Sequence, residues 1–508
     1  MRFVSVMIFL SILVITSPSL AAEISTTQIA LTEVNEVFPE SFGALGDGVA
    51  DDTESIQNAI NSVKSAYPGT VKFTRIYRIT RQISTGPLDN SFVSLEGNGT
   101  IYLDGSEAGF SIGNSNTHID GLRFIQNQSN GFDPSYSALN VQNVGYVTIS
   151  RCGFDGLKKT AITINAGMSG NASDISISES FFQNNSYGDI ILFGHDATHA
   201  VKNVSITGNT FISPTISVGT PTSDLQIRAI HILPYSSDIV VSGNVINGTA
   251  EYSDGQYISG WRDAIQIGNS TSDGRPDHVI IANNTISGMS DDGVGISGAV
   301  NITITGNAIY GSLLTSGIYV PGNGTFRNDM ITISGNTINN CGNAGIFLKD
   351  TDHATVSGNN ISNSLQGIAG VRVMQINISG NTITTVAKAG IFLNAISQGV
   401  ISNNLIDGFH LSGSPSVIDH AGIFIDSGEI TIIGNSLKNG THGIVLNGAP
   451  GKLSLMGNTG HTIKGYGINF VGFSGTTFNV SNNALGGAMG LINHAPASSS
   501  TKILEKNI

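Results

Sequence analysis

Asp291 and Asp292 stand side by side in "ISGMSDDGVGIS" (286–297), immediately before a short alternation of apolar and small residues. On its own, Asp-Asp-Gly is ordinary turn chemistry. Its neighbours give it further meaning. Similar alternations occur at "AITI" (161–164), "AIHI" (229–232), "AIQI" (264–267), "GVGI" (293–296), "GIYV" (317–320) and "GIFL" (345–348 and 390–393). From the second of these onward, the residue two places before the leading Ile or Val reads Arg228, Asp263, Asp292, Ser316, Ala344, Gln366 and Ala389. If such strands pair in parallel on successive turns, equivalent positions lie ~4.8 Å apart. Asp263 and Asp292 then stack directly, with Asp291 beside them. Crowded carboxylates cannot all ionise freely, so at least one pKa rises, which is what a general acid needs at neutral pH. The expected catalytic set is Asp263, Asp291 and Asp292.

Around them, the substrate-binding candidates are Arg228, His231, Trp261, Arg262, Ser316, Tyr319 and Lys349, most of them on the same strands. The segments nearby also carry Tyr235, Tyr252, Tyr257, Arg275, Asp277 and His278, aromatic and polar side chains suited to sugar subsites on long loops. His442, in "THGI", lies several turns away and is read as structural.

The positioning elements are legible as a repeat. "ITISGNTI" (331–338) recurs as "VSITGNTF" (204–211), "IVVSGNVI" (239–246), "ITITGNAI" (302–309), "INISGNTI" (376–383) and further variants. One polar position gives Asn209, Asn244, Asn284, Asn307, Asn336, Asn359, Asn381, Asn404, Asn435, Asn458 and Asn483. The spacing has a floor of 22 or 23 residues with excursions to 35 and 40. A constant minimum with insertions is the mark of a stacked solenoid. Period-two alternation makes its segments strands. The expected fold is all-β, a single-chain parallel β-helix of two or three short strands per coil, with the corner Asn residues stacked in an internal amide ladder. Asn98, Leu122, Cys152 and Ser180 occupy the same corner in weaker, earlier copies.

The first coil needs a cap, because its end exposes apolar faces and unpaired strand edges. "DDTESIQNAINSVKSAY" (51–67) supplies a helix, with Asp52 or Thr53 as N-cap and Ile56, Ala59, Ile60 and Val63 on one face. "FGALGDGVADDTESIQNAI" (42–60), followed by "TVKFTRIYRIT" (70–80), resembles the start of the pectate-lyase-like right-handed parallel β-helix superfamily. Within it, the carboxylate register is similar to that of the polygalacturonases, glycoside hydrolases of family 28. The resemblance implies that Asp263 in "WRDA" and the pair in "SDDG" flank a scissile glycosidic bond, and that Lys349 in "GIFLK" binds the sugar. Trp261 and Arg262 stand where that family has Asn and Thr, Ser316 where it has His, and Phe347 where it has Arg. It also implies inversion, with Asp291 as acid and Asp263 and Asp292 activating water. Being one residue out of register, Asp291 is expected to stand apart and open the about 6.5–9.5 Å gap that water requires.

Composition bounds the rest. "MRFVSVMIFLSILVITSPSLAAE" reads as a secretory signal peptide over 1–22, which places the mature chain in the periplasm, outside the cell or on its surface. The solenoid is expected over 36–490, with a tail over 491–508. A net charge of −13 argues against nucleic acid, and no segment beyond the signal is long and apolar enough for a membrane span. Cys152 and Cys341 are about six coils apart, on the order of 30 Å, so both are expected as free thiols. The leading function is hydrolysis of a polysaccharide without a cofactor. A lyase or uronate epimerase on the same scaffold would call for calcium or a basic clamp, and residues 226–350 hold five Lys or Arg against ten Asp or Glu. A non-catalytic polysaccharide-binding β-helix is the third reading.

Overall fold

The computed structural model describes residues 35–64, 69–86, 92–126, 136–213, 228–248, 252–253, 256–257, 261–269, 274–410, 420–448, 451–471, 477–493 and 501–505. The signal peptide expected at 1–22 lies outside them. Each copy of the repeated phrase is two strands broken at its Gly-Asn pair. In "ITISGNTI", Asp329–Ser334 belongs to a first sheet and Thr337–Asn339 to a second, and Ala344–Lys349 follows in a third. The break comes at Gly335, whose φ of 64° is left-handed. The same corner takes Asn at 283, 403 and 482, with φ of 55–56°. Gly and Asn are the residues that enter this region at least cost.

Three strands per coil, each paired in parallel with its equivalent on the next, build an all-β right-handed solenoid. Among the described residues the first sheet has 18 strands and the third 16. The second runs as one open file from Asp47–Asp51 to Ala484–Gly487. The first sheet continues past residue 490, because Thr501–Glu505 pairs with Thr477–Ser481. The solenoid therefore extends into the expected tail.

Inward columns fill the interior. Ile230, Ile265, Val294, Ile318 and Ile346 of the third sheet are fully buried, each worth about 1.5–3 kcal/mol. Phe124, Phe154, Phe182 and Phe211 stack with centroids 5.2, 4.9 and 4.7 Å apart. The amide ladder is present from Asn209 to Asn483. Asn336, for example, donates its backbone N–H and its Nδ2 to Asn359 Oδ1, both at 2.9 Å, and also gives Nδ2 to Ile304 O at 3.0 Å. Below it, Ser180 N–H donates to Asn209 Oδ1 and Cys152 N–H to Ser180 Oγ. Ser180, Cys152 and Leu122 are buried just before their second-sheet strands and meet the same corner, whereas Asn98 is exposed: Arg123 pairs with Thr100, so the corner residue there is Gly99.

The capping helix is Thr53–Lys64, with Ile56, Ala59, Ile60 and Val63 fully buried. Asp52 holds the N-cap position, its carbonyl accepting the Ile56 N–H, but its carboxylate does not cap the helix. Asp51 Oδ1 accepts the Thr53 N–H, while Asp52 turns back to accept from the backbone of Leu45 and Gly46. Gln57 closes the open edge of the third sheet by exchanging hydrogen bonds with Ser84 N–H and O at 2.8 and 2.9 Å. A side-chain amide there does the work of a missing strand.

Both cysteines are free and buried. Burial pushes the Cys152 thiol up to about 12 and the Cys341 thiol up to about 11. A thiol reagent at pH 8 should leave the native protein unlabelled and modify two sites after unfolding without reductant. Labelling of the native state would contradict this burial.

Candidate active site

The third sheet brings the aspartates together. Arg228 pairs with Asp263 on adjacent strands, Arg228–Ile232 and Asp263–Ile267. Ile265 pairs with Val294, and Val294 with Ile318, so Asp263, Asp292 and Ser316 follow one another in a column. The column expected from sequence is the one observed.

Asp263 and Asp292 are only 2% and 4% exposed. Arg228 Nε reaches Asp263 Oδ2 at 3.0 Å, and Asp292 N–H donates to Asp263 Oδ1 at 3.3 Å. Asp292 Oδ1 accepts from Thr315 Oγ1 and from Ser316 N–H. Arg262, the residue before Asp263, holds Asp291 Oδ2 at 2.8 Å. One carboxylate oxygen from each of the three aspartates lies within 4.8 Å of the others. Asp291 therefore does not stand apart. The one-residue offset that should have splayed it is countered by Arg262, which carries the same offset on the neighbouring coil. The spacing is tighter than the about 6.5–9.5 Å of inverting sites and near the about 5–5.5 Å of retaining ones.

Burial raises the pKa of Asp292 well above the usual carboxylate range, and the charges of Asp263 and Asp291 push it the same way. Burial also raises Asp263, against the pull of Arg228. Thr315 and Gly295 complete the setting. A Cβ at Gly295 would sit 2.3 Å from Gln266 Oε1 and 3.7 Å from Asp292 Oδ2. This glycine thus lets the Gln266 side chain close over the strand beside the buried carboxyl. Neither residue stood out in the sequence, though the register alone places Thr315 opposite Asp291.

The binding candidates divide. Tyr319 is half-buried beside the cluster; burial, then Asp292 and Asp291, raise its pKa. Its ring lies 5.4 Å from that of Phe347 on the next coil, forming an aromatic shelf. Arg262 is exposed at the rim. His231 is lowered to about 3 by burial and by Arg228, so its imidazole is neutral near pH 7. Arg228 is buried against Asp263 and acts on the carboxylates.

Three expectations are corrected. Trp261 is fully buried in the core, where so large an apolar ring is most stable, and cannot stack on a sugar. Its carbonyl accepts from the Ser290 N–H and hydroxyl, which fixes the corner before Asp291. Ser316 is fully buried and serves Asp292 through its backbone N–H. Lys349 ends the strand that Ala344 begins. Ordinary strand geometry puts it roughly 16 Å along the strand and roughly 10 Å along the axis from Asp292.

The flanking residues lie off the third sheet. Arg275 donates to the carbonyls of Ala299 and Arg327, and Asp277 and His278 open a strand of the first sheet. Tyr252 and Tyr257 pair in a two-residue hairpin; their side chains lie outside the described residues. His442 is buried in the same column as Asp292, six coils on, and accepts the Tyr466 N–H at 3.1 Å, in keeping with a structural role.

The fold is a right-handed parallel β-helix, with a largely buried carboxylate cluster at the start of two adjacent strands of its third sheet. A family model described as a right-handed beta helix region matches residues 316–485. No curated protein matches the chain. Among solved structures, the chain is similar to gene product 12 of bacteriophage phi29 (14% identity, 88% of this chain and 68% of that one, TM-score 0.51). It is also similar to PfbA, a surface adhesin of Streptococcus pneumoniae (16%, 84% and 92%, TM-score 0.45). A third is the A-module of the mannuronan C-5 epimerase AlgE6 from Azotobacter vinelandii (18%, 91% and 100%, TM-score 0.40). At these identities the likeness is one of fold. No helix among the described residues is long and apolar enough to cross a membrane.

Proposed function

We propose that the protein is an exported glycoside hydrolase that cleaves a polysaccharide at the Asp263–Asp291–Asp292 cluster. The observation that carries this reading is the convergence of three carboxylates from two successive coils, with one oxygen of each within 4.8 Å. Two guanidinium groups, Arg228 and Arg262, face the three carboxylates. One negative charge is left in excess, and a single proton balances it. Asp292, which has no cation of its own, holds that proton. Asp291, held by Arg262, is the nucleophile. This exchanges the roles expected from the sequence.

In the proposed reaction, Asp292 gives its proton to the glycosidic oxygen as that C–O bond breaks. Asp291 attacks the anomeric carbon, and water then displaces it with Asp292 taking back the proton. Asp263 holds the Asp292 backbone in place, and Tyr319 with Phe347 carries an adjoining sugar. The close spacing favours retention of configuration. Residues 1–22 would direct export.

The test is a panel of polysaccharides with reducing-end detection, ultraviolet absorbance and proton NMR of the first-formed product. The expected result is reducing ends without an unsaturated product, the substrate's anomer retained, and no effect of EDTA. The oxygen-rich cluster would also suit calcium. Activity that falls with EDTA, returns with calcium and yields an ultraviolet-absorbing product would replace hydrolysis by a lyase reaction. A panel that is bound but never cut would make the protein a binder.

A further inference from the structure

A groove of about 1060 Å³ lies on the first sheet, away from the carboxylates. It crosses seven neighbouring strands, from Asp329–Ser334 to Thr477–Ser481. At ~4.8 Å per strand its length is about 29 Å. Two outward columns form its rails. One carries His353, Gln375, Gln398, Glu429 and Lys452; the other carries Thr355, Asn377, Val400, Thr431 and Ser454. Between them the floor is strand backbone, because the intervening residues, Ala354, Ile376, Ile430 and Leu453, turn inward and are buried.

We propose that this groove is a second binding site, for an extended, uncharged polysaccharide lying along the solenoid axis. Apart from Val400 and the charged ends at His353, Glu429 and Lys452, the rails are hydroxyls and amides that donate and accept alike, as a chain of sugar hydroxyls requires. They recur once per coil, a pitch close to the length of one pyranose in an extended chain. Charge is nearly balanced. His353 is engaged by Asp329 at 2.6 Å, and Glu429 lies 3.9 Å from Lys452. Nothing there clamps a polyanion, so a uronate polymer is disfavoured. The site goes beyond the hydrolase reading and does not depend on it. Where both hold, groove and cluster engage one polymer at two points, which strengthens retention without new contacts at either.

The test uses the full chain carrying Asp292→Asn, so that nothing is cleaved, in affinity electrophoresis with dextran, laminarin and galactomannan, and with polygalacturonate as the anionic comparator. At least one neutral polymer should retard the protein, with little dependence on salt. Adding Asn377→Ala and Gln398→Ala, both at exposed positions, removes two hydrogen-bonding groups and should weaken retention about tenfold. Val400→Lys, which fills the middle of the groove from an exposed position, should do the same. Three results would overturn the site: no neutral polymer retained, retention unchanged by both variants, or a concentration-dependent dimer that the variants abolish. The last would make a second copy of the chain the occupant. Failure of the hydrolysis assay leaves this measurement untouched.

Discussion

Asp292→Asn should reduce turnover by about a hundred- to ten-thousandfold, the usual contribution of a positioned proton donor, while leaving the solenoid intact. The amide oxygen can still accept from Thr315 and from the Ser316 N–H, which the carboxyl does now. Only the proton is lost. The same variant carries a second, independent signature. Asp292 is raised in the folded protein by burial and by two neighbouring carboxylates, so the folded state binds more protons than the unfolded one above the ordinary aspartate pKa of about 3.9. Wild-type stability attributable to this group is therefore present at low pH and is lost as pH rises through the folded pKa. The variant has nothing to lose. Melting temperatures measured from pH 4 to 8 should coincide at the acid end and diverge upward, with the variant the more stable near neutrality. Parallel curves, or turnover within a few-fold of wild type, would mean that the cluster is a turn without catalytic consequence.

Asn359→Ala should cost about 3–5 kcal/mol, because it leaves more than one buried polar group without a partner. Asn359 Oδ1 receives the backbone N–H and the Nδ2 of Asn336, and its own Nδ2 reaches Ile333 O and Asn381 Oδ1. Alanine satisfies none of these. Each coil touches mainly its neighbours, so the damage should stay local. Hydrogen exchange should accelerate in the coils on either side of residue 359 and remain slow near the capping helix. Asn359→Asp separates geometry from chemistry. It keeps an acceptor for Asn336 but turns a carboxylate oxygen toward Asn381 Oδ1, so its urea midpoint should fall at pH 7 and recover in part at pH 4, where a protonated acid can donate. An alanine variant with a wild-type midpoint would show that the ladder decorates the corner without holding it.

The column from Arg228 to Ala389 could be read from sequence because parallel pairing preserves register, and the leading Ile or Val of each strand marks the same inward position. The Asn corner could be read for the same reason. What period-two alternation does not encode is how a corner turns. Trp261 looked like a loop aromatic, and the bend before Asp263 drives it into the core. Lys349 seemed near the aspartates in the aligned motifs, yet five residues along an extended strand carry it far from them. Asp291 obeyed its register in the backbone only; an ion pair that no pattern announces drew its carboxylate back. Gly295 was passed over because a missing side chain leaves no pattern, although its lack of a Cβ is what admits Gln266 beside Asp292.

The amide ladder also governs where this chain can change length. From Asn209 onward, every coil returns to the same corner whether the intervening segment is short or long. Between the second and third sheets, the chain passes from Ile212 to Arg228, from Asn247 to Asp263 and from Phe409 to Ala421, whereas elsewhere it passes directly from Asn339 to Ala344. Two of the long passages lead straight into Arg228 and Asp263. The spine keeps time for the whole molecule while the stretches that lead into the acidic cluster differ in length, so they can be exchanged, up to the buried Trp261 and the paired Arg262, without retuning the solenoid beneath them.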